Sequence, residues 1–255
     1  MPLPTLVVGA PCWIDLFSSD TAKATAFYGE LFGWTAEPPD PRFGGYFTFT
    51  KDGKHIAGCM LNDGSTGMPD VWTVYLMTDD IEAVAQAAPV NGGQVALPPM
   101  EDHENGSMAI IADPGGARLG AWQPDAVKGF ELIGEKGTPN WFELHTRDYE
   151  DSVDFYRTVF GWDAHVASDT PQFRYTTLGD GDDRRAGIMD AAAFLPADAP
   201  ACWSVYFGVA NTHTGLERIV ELGGAIVQPA MDTPYGRLAE AADPTGARFK
   251  LVDSH

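Results

Sequence analysis

The chain has 255 residues, 44% of them hydrophobic, and a formal net charge of −20 from 16 Lys+Arg against 36 Asp+Glu. That excess repels phosphate backbones and anionic membrane surfaces, so neither nucleic acid nor a membrane is an expected partner, and no apolar run is long enough to span a bilayer. Cys12, Cys59 and Cys202 are widely spaced with no Cys-x-x-Cys, and no basic-then-apolar segment opens the chain, so a reducing, cytoplasmic location is expected.

Along the chain, an alternating strand is expected near 11–17. Asp20 then caps a helix from about 21 to 32, in which Ala24, Phe27, Tyr28 and Leu31 recur at helical spacing and which Gly33 stops. A Pro38-Pro39-Asp40-Pro41 loop leads to strands near 45–50 and 55–61, and a polar stretch at 62–70 follows. The order then repeats: a strand over 71–78, a helix opened by Asp79-Asp80 and ended by Pro89, and short strands near 94–97, 106–112 and 117–122.

After a Gly- and charge-rich segment the whole plan returns. Strands are expected at 139–146, 173–178, 185–190, 202–208, 225–228, 236–241 and 247–252, with helices at 149–160 and 212–222. The repetition extends to residues. Pro11, Trp13, Asp20, Phe27-Tyr28 and Phe32-Gly33-Trp34 reappear 128 positions later as Pro139, Trp141, Asp148, Phe155-Tyr156 and Phe160-Gly161-Trp162. Trp72, Tyr75 and Asp113-Pro114 find counterparts in Trp203, Tyr206 and Asp243-Pro244 with small drifts, as loop insertions produce. The expected organisation is therefore two copies, residues 1–123 and 139–255, joined by a linker at 124–138.

A strand, an Asp-capped helix ending in Phe-Tyr, a Phe-Gly-Trp, and a later Asp-Pro-x-Gly-x-Arg before a last strand resemble the vicinal oxygen chelate superfamily. That group comprises glyoxalases, bleomycin-resistance proteins and extradiol dioxygenases. The matches are Phe27-Tyr28, Phe32-Gly33 and Asp113-Pro-Gly-Gly-Ala-Arg118, then Phe155-Tyr156, Phe160-Gly161 and Asp243-Pro-Thr-Gly-Ala-Arg248. Nearly the whole chain is covered, most closely in the manner of the tandem actinobacterial glyoxalase-like type. The resemblance implies an α+β fold: a tandem duplication of a glyoxalase-like domain, each of two βαβββ units forming curved open sheets around a cup.

The resemblance also implies a divalent metal held by His, Gln or Glu at three points per copy. Those points are Trp13, Thr73 and Gly120 in the first copy and Trp141, Ser204 and Lys250 in the second. Indole, hydroxyl, glycine and ammonium do not make such a site, so no metal and no other cofactor is expected. Glu143 and His145 on one strand face could begin a two-His-one-carboxylate set, but no third ligand is evident, with His55, His103, His165 and His213 in or near probable loops.

Strand alternation decides what faces each cup. The first receives Trp13, Asp15, Phe17, Tyr75 and Trp122, an aromatic lining suited to a flat organic ligand. The second receives Trp141, Glu143, His145, Tyr206 and Lys250, of which the last four could form an acid–base set or simply satisfy one another's buried charge. Trp13 and Trp141 either stack a ligand or plug a vestigial site.

Two functions follow. The first is a metal-independent protein binding a flat aromatic or apolar natural product, cationic ligands included, in antibiotic resistance by sequestration or as an accessory to antibiotic biosynthesis. The alternative is an enzyme of the same superfamily, of glyoxalase, lyase or hydroxylase type, using a metal or the catalytic set Glu143, His145, Tyr206 and Lys250. A fused chain can pair its copies internally, so a monomer is expected, with a homodimer as the alternative.

Overall fold

The computed structural model describes residues 6–102 and 105–254; His103, expected in a loop, lies outside them. The first copy runs β1 (Pro11–Ser18), α1 (Thr21–Phe32), β2 (Thr35–Ala36), β3 (Phe47–Lys51), β4 (Lys54–Leu61), β5 (Val71–Met77), α2 (Ile81–Val90), β6 (Gln94–Asp102), β7 (Gly106–Ala112) and β8 (Arg118–Pro124). The second runs β9 (Pro139–Thr146), α3 (Tyr149–Phe160), β10 (Ala164–Thr170), β11 (Phe173–Leu178), β12 (Ala186–Asp190), β13 (Cys202–Val209), α4 (Thr212–Glu221), β14 (Ala225–Thr233), β15 (Gly236–Ala242) and β16 (Arg248–Asp253).

Each copy forms one eight-stranded sheet, ordered β2-β3-β4-β1-β5-β8-β7-β6 and β10-β11-β12-β9-β13-β16-β15-β14. The antiparallel pair β1–β5, like β9–β13, stands at its centre, flanked by parallel partners. Asp20 accepts from the Lys23 N–H at the start of α1, and Gly33 closes it in the left-handed conformation at φ 75°.

Four expectations need correcting. Helix α2 does not stop at Pro89 but reaches Val90, because in the last turn a proline forfeits only one intrahelical bond and Asn91 closes the end through Ala87 and Ala88. Strands β6 and β14 are each nine residues long, not four; Pro98, Pro99 and Pro229 are tolerated because both are edge strands, each shifting register twice against its neighbour. The two outer strands β2 and β10 escaped the sequence reading, β10 being a polar edge strand with no apolar alternation. His165 accordingly lies on β10 and not in a loop, whereas His55 at the start of β4 and His213 in the first turn of α4 stand beside loops as expected.

One apolar core runs through both copies, and the repeated motifs are what join them. The Tyr28 hydroxyl on α1 donates to Asp243 of the second copy (3.0 Å) and accepts from Trp72 (3.0 Å). Tyr156 on α3 mirrors this, donating to Asp113 of the first copy (3.1 Å) and accepting from Trp203 (2.9 Å). The Trp34 indole donates to the Gly137 carbonyl (2.6 Å) and Trp162 to that of Gly9 (2.9 Å), each reaching the segment ahead of the other copy's first strand. Every buried hydroxyl and indole so placed is satisfied, as a dry interior requires. Among the described residues no helix is long and apolar enough to cross a membrane.

Candidate functional site: two unequal cups

Alternation along β1 buries Ile14 and Leu16 completely and turns Trp13, Asp15 and Phe17 to the opposite face. These three, with Tyr75 and Trp122, line a cavity of about 2250 Å³, so all five residues expected in the first cup border the same space. The cavity exceeds the roughly 300–1,000 Å³ of common small-molecule sites. It extends past the first cup to Arg185 and Cys202 of the second copy. Cys12, Tyr75, Met77 and Trp122 form a small cluster of their own beneath it, against which Trp13 and Met108 pack.

Sequence reasoning missed two parts of this wall. Tyr46 donates its hydroxyl hydrogen to Asp15 Oδ1 (2.9 Å), and the Trp13 indole N–H is shared between Asp15 Oδ1 (2.9 Å) and Tyr46 Oη (3.0 Å). The approach is close because residue 58 on the neighbouring β4 is glycine: a Cβ there would stand 1.9 Å from the Tyr46 hydroxyl and 2.2 Å from Asp15 Oδ1. The second missed part is the linker. Phe130 is buried with its N–H on the Cys12 carbonyl (2.8 Å), and its ring packs 5.7 Å from that of Trp13. Gly129 is the residue that permits this, since at φ 117° a Cβ would strike the Cys12 carbonyl at 2.3 Å.

Burial pushes the Asp15 carboxyl above its ordinary value, against the hydrogen bonds of Tyr46, Tyr75 and Trp13 that hold it down. Burial likewise drives the hydroxyls of Tyr46 and Tyr75 well above their ordinary range, with the charge of Asp15 adding to it. Neither phenol is a base at neutral pH; both are hydrogen-bond donors.

The second cup repeats the arrangement and then fills it. Glu143 takes the place of Asp15 and is 6% exposed; His145, equally buried, takes that of Phe17. Tyr206 donates to Glu143 Oε1 (2.5 Å), Tyr175 donates to Oε2 (2.7 Å), and the Trp141 indole donates to the Tyr175 hydroxyl (2.9 Å). Tyr175, the counterpart of Tyr46, was also missed; Gly187 opens the space for it as Gly58 does for Tyr46. His145 Nε2 lies 2.6 Å from Glu143 Oε1 and 3.0 Å from Lys250 Nζ. One ring nitrogen cannot donate to the first while accepting from the second, so it serves one of the two partners at a time. Lys250 also donates to Tyr206 Oη (3.0 Å) and stands 3.7 Å from Glu143 Oε1.

Burial raises the Glu143 carboxyl, but the hydrogen bond and charge of His145, the charge of Lys250 and the Tyr206 hydroxyl overcome it, holding the group down to about 2. Burial lowers Lys250 from its ordinary value, opposed by Glu143 and Glu240. Glu143, His145, Tyr206 and Lys250 thus do converge, as the strand pattern predicts, but none of them is on the wall of the large cavity.

A divalent metal fits neither cup through the superfamily's positions. In the second, the Lys250 ammonium occupies the pole of the carboxylate that a dication would need, and a cation there opposes another. In the first, Trp13, Thr73 and Gly120 offer no anionic or imidazole donor. Among the described residues no group of three or more His, Cys, Asp or Glu side chains could hold an ion.

Residues 12–120 and 138–251 match the family model of the Glyoxalase/Bleomycin resistance protein/Dioxygenase superfamily. The chain is 35% identical over 273 residues to "Anthracycline biosynthesis protein DauV" of Streptomyces sp. (strain C5), covering 96% of this chain and 93% of that protein. It is 36% identical to "Anthracycline biosynthesis protein DnrV" of Streptomyces peucetius, with the same coverage. It is 33% identical to "Putative glyoxylase CFP32" of Mycobacterium tuberculosis (strain CDC 1551 / Oshkosh), covering 96% and 94%. Among solved structures, the Mn(II)-bound glyoxalase from Novosphingobium aromaticivorans shares the fold at a TM-score of 0.63 and 19% identity, covering 97% of this chain and 84% of that one. Both copies thus match in sequence and the paired-cup architecture matches in structure: the chain belongs to the Glyoxalase/Bleomycin resistance protein/Dioxygenase superfamily.

Proposed function

We propose that this protein binds a flat aromatic natural product in its first cup, without a metal, as an accessory to antibiotic biosynthesis or in resistance by sequestration. The observation that carries this is the cavity over Trp13, Phe17, Tyr75 and Trp122, whose aromatic wall offers stacking faces and edges to a polycyclic ligand. The names of two relatives, both anthracycline biosynthesis proteins, point to planar polyketides as the ligand class. Trp13 acts here as platform, its indole N–H fixed on Asp15 and Tyr46 so that the ring is held in place before a ligand arrives. Titration of tryptophan fluorescence with an anthraquinone tests it: saturable quenching, unchanged by a chelator, is expected. Quenching abolished by chelation and restored by a divalent ion would overturn metal independence.

The second cup carries an alternative, acid–base catalysis by Glu143, His145, Tyr206 and Lys250. The chain of contacts from Lys250 through Tyr206 to Glu143 favours it, since a proton could pass along it. The charges there already satisfy one another, which favours the binding reading instead. Turnover of any relative's substrate that His145→Ala abolishes would establish the alternative.

A further inference from the structure

The two cups contain the same cage. Trp13, Asp15, Tyr46 and Tyr75 correspond to Trp141, Glu143, Tyr175 and Tyr206: Trp13 pairs with Tyr75 as Trp141 pairs with Tyr206, and Asp15 with Thr73 as Glu143 with Ser204. In both, the indole meets a tyrosine hydroxyl and that hydroxyl meets the carboxylate, at 3.0 and 2.9 Å in the first cup and 2.9 and 2.7 Å in the second.

The second cage is filled by a primary ammonium belonging to the chain itself. Lys250 Nζ sits 3.7 Å from the carboxylate, 3.0 Å from Tyr206 Oη and 4.9 Å from the Tyr206 ring centroid. An ammonium against a carboxylate and an aromatic face is a favourable seat, and a stronger one away from water. Lys250 pairs with Tyr206 across β13 and β16; the residue that pairs with Tyr75 across β5 and β8 is Gly120. Phe17 stands where His145 does. The first cage therefore has the anion and the aromatic faces but no cation of its own: no described cation lies within ion-pair distance of Asp15, and the one charged group acting on it from β6 is another carboxylate, Asp102.

We propose that the first cup is selective for an aromatic ligand bearing a protonated amine, whose ammonium is seated against Asp15 as Lys250 is seated against Glu143. This rests on the reading of the first cup as the binding site and names the chemistry that the site selects. The ligand completes an ion pair that the second copy makes internally, and the carboxylate that is costly to bury alone becomes the source of selectivity. A flat ring system lies along Trp13 and Trp122 while the amine reaches down to the strand.

The test uses two probes: an anthraquinone carrying an aminoethyl arm, and the same anthraquinone with a hydroxyethyl arm. Both are titrated into the full chain and into Asp15→Asn, whose side-chain oxygen still accepts from Trp13 and Tyr46. The wild type is expected to bind the amine about tenfold or more tighter than the alcohol, and Asp15→Asn to bring the two within about twofold. Equal affinity of the wild type for both probes overturns the proposal but leaves the aromatic cup standing. A preference that survives in folded Asp15→Asn overturns it as well. Binding of neither probe removes both readings. The wild-type comparison needs no variant, so it decides the matter even if Asp15→Asn were to misfold.

Discussion

In the first cup the carboxylate of Asp15 faces a cavity of about 2250 Å³; in the second, the carboxylate of Glu143 faces Lys250 and His145. The surrounding strands, their register and the tryptophan–tyrosine–carboxylate contacts are alike. The differences that bear on the charge are Phe17 against His145 and Gly120 against Lys250. With them the second copy pairs its carboxylate internally. Without them the first keeps an anion that burial pushes toward protonation, and keeps space beside it. Duplication makes such a division possible, because one copy can neutralise its charge for stability while the other retains a hydrogen-bonded carboxylate without a counter-charge that a ligand can use.

The largest effect on stability is expected from breaking the satisfied cup. Glu143→Gln leaves Lys250 and His145 buried without their counter-charge and should cost about 3 kcal/mol at neutral pH, read from denaturant unfolding. Its pH dependence has a definite sign. The carboxyl is held at about 2 in the folded chain against an ordinary 4.5, so its contribution is fully present above 4.5 and is lost as pH falls toward 2. The variant's stability should be flatter than wild type across that window; parallel curves would show that Glu143 is not the anchor of the second cup.

A smaller loss is expected where the copies join. Trp34→Phe keeps the ring but strands the buried Gly137 carbonyl, at a cost of about 1–3 kcal/mol, and Trp162→Phe should cost a similar amount at Gly9. A loss for only one of the two would break the symmetry of the joint.

The smallest effect has the opposite sign. Asp15→Asn removes a buried carboxylate that has no cation and should stabilise the ligand-free chain by about 1 kcal/mol at pH 7. Because burial raises the Asp15 carboxyl above its ordinary value, the folded chain binds the proton more tightly. The benefit of that is present in acid and lost as pH rises past the ordinary value. The gain from Asn should therefore be clear in thermal melts at neutral pH and vanish near pH 4; destabilisation at neutral pH would mean that the two carboxylates play the same part.

Most of the fold was legible because it was written twice. Strand alternation placed Trp13, Asp15 and Phe17 on one face and Ile14 and Leu16 on the other, and the caps Asp20 and Gly33 fixed α1. The repeated Trp34 and Trp162 read as core packing, which they are, but nothing local says that each reaches across to the other copy. Tyr46 and Tyr175 were hidden because neither belongs to a shared motif. The signal that could have found them is a glycine within a strand, Gly58 and Gly187, which marks a close approach by another group. Phe130 escaped for a different reason: a Gly- and charge-rich segment reads as a tether, and only its one aromatic residue hinted that it packs over Trp13. The polar cluster of the second cup was visible as four residues on one face, whereas the contacts that join them depend on distances that spacing does not carry.

The division between the cups is tested most directly by titrating the aminoethyl anthraquinone into wild type, Trp13→Ala and Trp141→Ala, with circular dichroism confirming that each is folded. The account predicts one binding site per chain, abolished or weakened at least about tenfold in Trp13→Ala and intact in Trp141→Ala. Binding that survives in Trp13→Ala and disappears in Trp141→Ala would place the ligand in the second cup and contradict it.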